Sequence, residues 1–404
     1  MKTLFKYLIT GFFLAVVFQE SAYAIPSFAR QTGLKCSACH TIFPELTQFG
    51  RNFKLHGYTL GGGDSKILSK FSAMVQIVQN RPKHATTQDH ALTIPQSSIF
   101  FGGKITDNIG AFIQTTLDDT GVYGMDNTDI RYADTMKLSG INVDYGVSLN
   151  NNPTVQDLWN STSAWGFPYA GANGTNGVNN GATQLDGLAA NATGLSIYTL
   201  WNDLLYVEAG AYAGSKATGL SNILHASTAT ANDTKPGYSY LDNTAPYARV
   251  ALQHNFGDNY LMIGAQYLDA KIIGNYYNPT PVASITYRDY GLDAQWQYTK
   301  ENHMVSLEAS KIWEKQSDGN NDNLTTTKGK ISYFYQQTYG LTLDYITNSN
   351  DAGTQNTGTT VQIDFCPVQT IKLAAQFNNY TRFNGTNANA SDNNNIGIIG
   401  WFMF

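Results

Sequence analysis

The chain has 404 residues and a formal net charge of −5, which argues against binding to nucleic acid. Only 14% of its residues are charged, against roughly 25% in ordinary soluble domains. Aromatics reach 13%, with 25 Tyr, beside 37 Gly, a balance that is wrong for a soluble enzyme and right for a membrane β-barrel.

The first residues carry a processing pattern. Lys2 and Lys6 form a positive start, Leu8 to Phe18 is almost wholly apolar, and Ala22-Tyr23-Ala24 is a small-x-small cleavage site. A signal peptide over 1–24 is therefore expected, because the apolar run is shorter than the roughly 20 residues of a spanning helix.

Next comes Cys36-Ser37-Ala38-Cys39-His40. At this spacing two thiols can add to the two vinyl groups of one haem, and the adjacent imidazole can reach its iron. The competing readings are a C-x-x-C disulfide and half of a zinc site. No second Cys pair exists to complete a zinc site, and the third cysteine, Cys366, stands far off beside Pro367 at an expected turn, with no chemistry assigned to it. Position after an export signal favours haem c, with Cys36 and Cys39 as anchors and His40 as proximal ligand.

Phe43, Leu46, Phe49 and Phe53 then recur at helical spacing, with Pro44 at a first helical position and Gly57 just past the end. Gly61-Gly62-Gly63 reads as a hinge. The expected organisation is a signal peptide at 1–24, a monohaem segment at 25–66 and a barrel at 67–404. So short a haem segment rarely folds alone, and the barrel lumen is the most economical surface for it to plug.

Beyond the hinge the period becomes two. Tyr290, Leu292, Ala294, Trp296 and Tyr298 alternate with Gly291, Asp293, Gln295 and Gln297, and the stretches 141–149, 361–365 and 371–378 behave alike. Segments of this kind between 69 and 404 number about sixteen, predicting an all-β transmembrane barrel of antiparallel strands. Short connections such as Thr106-Asp107, Asn202, Lys300-Glu301 and Pro367-Val368 alternate with long ones at 150–191, 214–244, 271–283, 316–326 and 382–394. That alternation predicts periplasmic termini, extracellular loops and an outer-membrane address, with lipid around the wall. The chain ends Trp401-Phe402-Met403-Phe404, which resembles the closing strand of such barrels. A sandwich is the competing architecture, since periodicity alone does not say which face is inside.

Residues 25–60 resemble a known family in detail. Ile25-Pro26-Ser27-Phe28-Ala29-Arg30-Gln31-Thr32-Gly33, the Cys36–His40 motif, Phe43-Pro44, Gly50-Arg51, Phe53-Lys54 and Gly57-Tyr58-Thr59 look like the monohaem fused cytochrome–porins. Known members of that family are outer-membrane iron-oxidising cytochromes c. The resemblance implies an electron-transfer oxidoreductase that takes single electrons from extracellular Fe(II) and passes them to a periplasmic cytochrome c or copper protein. Two alternatives stand beside it: an electron conduit for another donor or acceptor, and a diffusion porin with a structural or sensory haem plug.

The distal ligand is open among His56, Met74, His84, His90 and Met125, with His56 first and Met74 next; His225, His254 and His303 are expected to be unrelated to iron. Asp144, Asp289, Asp293, Glu308, Asp344 and Asp364 fall on the inward phase, as a hydrated channel wall or transient Fe²⁺ contacts. Trp159, Trp165, Phe167 and Tyr169 make the connection 150–191 aromatic enough to fold back into the lumen.

Overall fold

The computed structural model describes residues 26–41, 44–62, 66–84, 92–118, 123–161, 192–214, 239–241, 244–274, 284–317, 323–351 and 355–404, with 121, 167, 185 and 188. The signal segment 1–24, Phe43, Gly63, His90, Trp165, Tyr169 and His225 lie outside the described residues.

One antiparallel sheet closes on itself. Its strands are β1 (Phe71–Pro82), β2 (Leu92–Lys104), β3 (Ile109–Asp118), β4 (Tyr123–Leu138), β5 (Ile141–Asn150), β6 (Thr193–Trp201), β7 (Leu205–Ala213), β8 (Ser239–Leu241) and β9 (Ala245–Phe256). They continue as β10 (Asn259–Gly274), β11 (Ser284–Lys300), β12 (His303–Ser317), β13 (Leu324–Tyr335), β14 (Tyr339–Asn350), β15 (Gln355–Val368), β16 (Ile371–Arg382) and β17 (Asn395–Met403). β1 pairs with β17 over Met74↔Met403 to Pro82↔Asn395, which closes the ring. β8 is a stub on the end of β10, and β7 pairs directly with β9, so sixteen strands form the wall.

The faces decide between barrel and sandwich. Leu195, Ile197, Leu252, Ile263, Leu292, Leu341, Ile363 and Ile398 are exposed on the outside, while Gln295, Thr342, Asp344, Gln362, Gln376 and Asn378 are buried within. A polar inside and an apolar outside is the inverse of a soluble core and fits a lipid surround. Closure through the β1–β17 seam gives each of the sixteen wall strands a partner on both sides, so none of them is an edge. The wall is that of an outer-membrane barrel.

Short turns gather at one end of the barrel. Asn202 and Asp203 both have positive φ (51° and 52°), as do Gln336 and Gln337 (54° and 55°), the type I′ geometry that matches strand twist. The expected turn at Pro367-Val368 shifts to Gln369-Thr370. Pro367 has no N–H to give the ladder, and the register slips between Phe365 and Val368 as a bulge.

The N-terminal segment lies inside the barrel as α1 (Pro26–Thr32), α2 (Cys36–Cys39) and α3 (Gln48–Leu55). The expected helix start at Pro44 is corrected to Gln48. Thr47 caps it by accepting from the Gly50 N–H at 3.1 Å, while Leu46 is held in a β-bridge to His40.

Candidate functional site

α2 is one turn carrying both thiols, and the chain then doubles back on itself. The His40 N–H donates to the Cys36 carbonyl (2.9 Å), the Thr47 N–H to the Cys39 carbonyl (2.9 Å), and Thr47 Oγ1 to the Ala38 carbonyl (2.5 Å). α3 therefore starts against the Cys36–His40 turn. Gly50 makes this possible, because a Cβ there would collide with the Cys39 carbonyl.

Buried polar contacts lock the segment to the wall. Arg51 donates to the Leu46 carbonyl (2.6 Å) and Gln297 Oε1 (2.9 Å), and its guanidinium lies 3.5 Å over the Tyr260 ring. Glu45 Oε1 meets Lys330 Nζ at 2.5 Å, and the same ammonium reaches Glu308 at 2.9 Å. Tyr58 donates to Asp129 at 2.6 Å, and Tyr198 to the Leu55 carbonyl at 2.6 Å. Partners drawn from around the ring make the segment a plug.

Cys36, His40, Thr41, Phe334, Cys366 and Met403 line one cleft that is open at its mouth. It opens beside the short turns: Gln337 donates to the His40 carbonyl (2.9 Å), and Gln369 accepts from the Cys36 N–H (3.0 Å). Phe28, Cys36, Phe49 and Leu60 pack against an apolar cluster of Phe53, Tyr58, Met74, Trp401 and Met403, so Phe49 and Phe53 of the helical stripe do flank the motif. Met403 and Cys366 were not read as site residues. Both continue the inward phase of their strands, which becomes visible only once the barrel's inside is known.

The donor chemistry suits a covalent haem. Cys36 and Cys39 are not joined in a disulfide. Burial, with Cys36 beside it, pushes the Cys39 thiol up to about 12, opposite to the depressed value of a redox-active C-x-x-C pair. Burial pushes His40 down to about 4, with the carbonyls of Glu45 and Pro44 opposing the shift. Its Nδ1 stands 3.2 Å from the Glu45 carbonyl, the orienting bond that a ligating histidine usually makes.

The distal candidates separate. His56 does not reach the cleft: it caps the far end of α3, contacts the Asn52 carbonyl (2.9 Å), pairs with Asp144 (3.3 Å) and lines another cavity with Gln48 and Asp203. The fold-back brings the beginning of the helix to the motif rather than its end, and the helix then climbs about 1.5 Å per residue away. Hydrogen bonds to Asp144 and Asn52 overcome burial and raise the His56 pKa. Met74 shares the apolar cluster with Cys36. His84 pairs with Asp392 at 3.1 Å beside a long connection, and Met125 pairs with Thr115 at that same end.

Four of the inward acids are wall residues held by cations or amides: Asp293 by Arg249 (2.6 Å), Glu308 by Lys330 (2.9 Å), Asp364 by Lys372 (3.5 Å), and Asp289 by the Leu185 N–H (2.8 Å). Among the described residues no group of three or more His, Cys, Asp or Glu is placed to hold a metal ion. The described start of the connection after β5, residues 151–161, folds inward. Trp159 is fully buried with Arg249 over its ring (5.1 Å), Asn160 donates to the Pro44 carbonyl (2.8 Å), and Lys54 donates to the Asp157 carbonyl (2.5 Å).

No family model and no curated protein matches the chain. Solved structures similar to it include a loop-deleted OmpT of Vibrio cholerae, at 12% identity and a TM-score of 0.49, covering 83% of this chain and 98% of that one. OmpF of Salmonella typhi gives 10%, 0.48, 83% and 97%, and the DcaP channel of Acinetobacter baumannii 11%, 0.49, 83% and 96%.

Proposed function

We propose that the protein is an outer-membrane c-type cytochrome–porin that carries single electrons from extracellular Fe(II) to a periplasmic cytochrome c or copper protein. The observation that carries this reading is the cleft at the short-turn end, where Cys36 and His40 face one space beside a second, unbridged thiol at Cys39. Short turns face the periplasm in bacterial barrels, so the cleft opens toward a soluble carrier. The haem, when bound, supplies a one-electron centre between the two.

The chain's own residues do the rest. Cys36 and Cys39 tether the group, and the Glu45 carbonyl orients His40. Phe334, Trp401 and the plug aromatics keep water from much of the site, which favours the reduced, less charged iron. Only an electron moves, so no general acid or base is needed. Iron(III) is released outside, where its precipitation does no harm to the cell.

The purified protein, made with haem-attachment machinery, is expected to weigh one haem more than the cleaved polypeptide. Cys36→Ala and Cys39→Ala are expected to lose that attachment. Stopped-flow mixing with Fe(II) then reads the substrate: fast haem reduction supports the iron reading, reduction only by other donors moves the function to another conduit, and solute flux without redox dependence moves it to a porin. An unmodified mass removes the haem reading altogether.

A further inference from the structure

Three sulphur side chains face the His40 cleft: Cys36, Cys366 and Met403. Cys36 is consumed by the tether if the haem reading above holds, and this inference rests on that reading. His40 occupies one axial position of the iron, and a second must come from another wall of the cleft. Lys372, which also lines it, is drawn to Asp364 at 3.5 Å and lies over the Trp401 ring. The cleft then offers a thiol and a thioether.

Their chemistry separates them. A thiol must lose its proton to bind iron well; at Cys366 that anion would stand beside Asp364, two residues earlier on the same face, and the nearby Lys372 ammonium is already shared with that carboxylate. A thioether is neutral and soft and loses nothing on binding. Met403 also lies where an apolar ring would pack: it is buried, and it belongs with Trp401 to the cluster against which Cys36 rests. Met74, its register partner across the β1–β17 seam, shares the cluster but does not line the cleft.

We propose that Met403, the penultimate residue of the chain, is the axial ligand opposite His40. Thioether ligation raises the haem potential, as an acceptor for Fe(II) requires. It also places a bond between the plug segment and the strand β17 that closes the ring, so full ligation becomes a property of the closed barrel.

The test uses full-length holoprotein and reads spectra, with the mass as a control for haem attachment. Wild type is expected to be low-spin with the near-infrared band of sulphur–iron ligation. Met403→Leu keeps the volume and is expected to lose that band, turn high-spin and shift to lower potential, while retaining covalent haem. Met403→His is expected to return to low spin at a lower potential than wild type. Met74→Leu and Cys366→Ser are expected to leave the spectrum unchanged. The proposal is overturned by an unaltered spectrum in haem-loaded Met403→Leu, by a wild type lacking the sulphur band, or by loss of the band in Met74→Leu alone. Should Met403→Leu fail to close its barrel, judged by heat-modifiable mobility in gels, the wild-type band and Met403→His decide. A wild type without covalent haem would instead remove the underlying haem reading, and the mass shows which of the two has failed.

Discussion

Gly50 and the Cys39 carbonyl are in such close approach that no side chain fits between them. The carbonyl belongs to the turn that holds both thiols and the glycine to the helix that braces it. Their contact sets the distance between the Cys36–His40 turn and the plug core.

Gly50→Ala is therefore expected to push α3 off the motif at a cost of about 1–3 kcal/mol, the usual penalty of overpacking. The wall should be spared. Near-native β-sheet circular dichroism with reduced haem incorporation is the expected outcome, and unchanged incorporation would show that the contact relaxes freely.

Lys330 holds two buried carboxylates, Glu45 of the plug and Glu308 of the wall. Lys330→Met leaves both uncompensated and is expected to cost about 3–5 kcal/mol. Adding Glu45→Gln should recover part of that loss, because the two sites are coupled. Thermal melts of the single and double variants measure it.

The plug should also be pH-sensitive through Lys54. Burial pushes this ammonium down to about 7 from an ordinary 10.5, with Arg131 adding to the shift and Asp129 and Asp157 opposing it. Between those values the unfolded chain holds more protons than the folded one, so plug stability rises as pH climbs from 7 toward 10.5 and is lost as pH falls through 7. Hydrogen exchange of the α3 amides at the two ends of that window reads the slope, which Lys54→Met should flatten.

Trp159 fills the lumen between Tyr206 (5.3 Å, edge-on) and Arg249. Trp159→Ala is expected to cost about 3–5 kcal/mol and to open a path for ions. Single-channel conductance in planar bilayers should rise; no change would mean the lumen is sealed elsewhere.

The barrel was legible because its strands obey a two-residue period and its connections alternate in length. Inside and outside were not, since alternation is symmetric until exposure is known; Leu292 outside and Asp293 inside settle it. Cys36, Cys39 and His40 stood out in the sequence by their spacing, which is what makes them a candidate haem c site. The residues facing it did not, because Met403 and Cys366 come from strands more than three hundred residues away and meet the motif only through ring closure. His56 lies apart from the Cys36 and His40 cleft because of direction: spacing marks a helix but does not say which end returns to the motif. α1 carries no apolar period of its own. It is held by Gln31, which donates to the Tyr58 carbonyl at 2.7 Å and accepts from the Lys104 N–H at 2.7 Å.

The plug's anchors have a consequence for biogenesis. Arg51 is clasped by β11, Lys330 of β13 grips Glu45, Tyr58 bonds to β4, and the connection after β5 lies across α3 through Asn160 and Asp157. Such a unit cannot be threaded into a finished cylinder without breaking contacts on several sides at once. The wall must instead grow around a passenger already in place, so a chain whose N-terminal segment is misfolded would present its assembly machinery with staves and nothing to wrap.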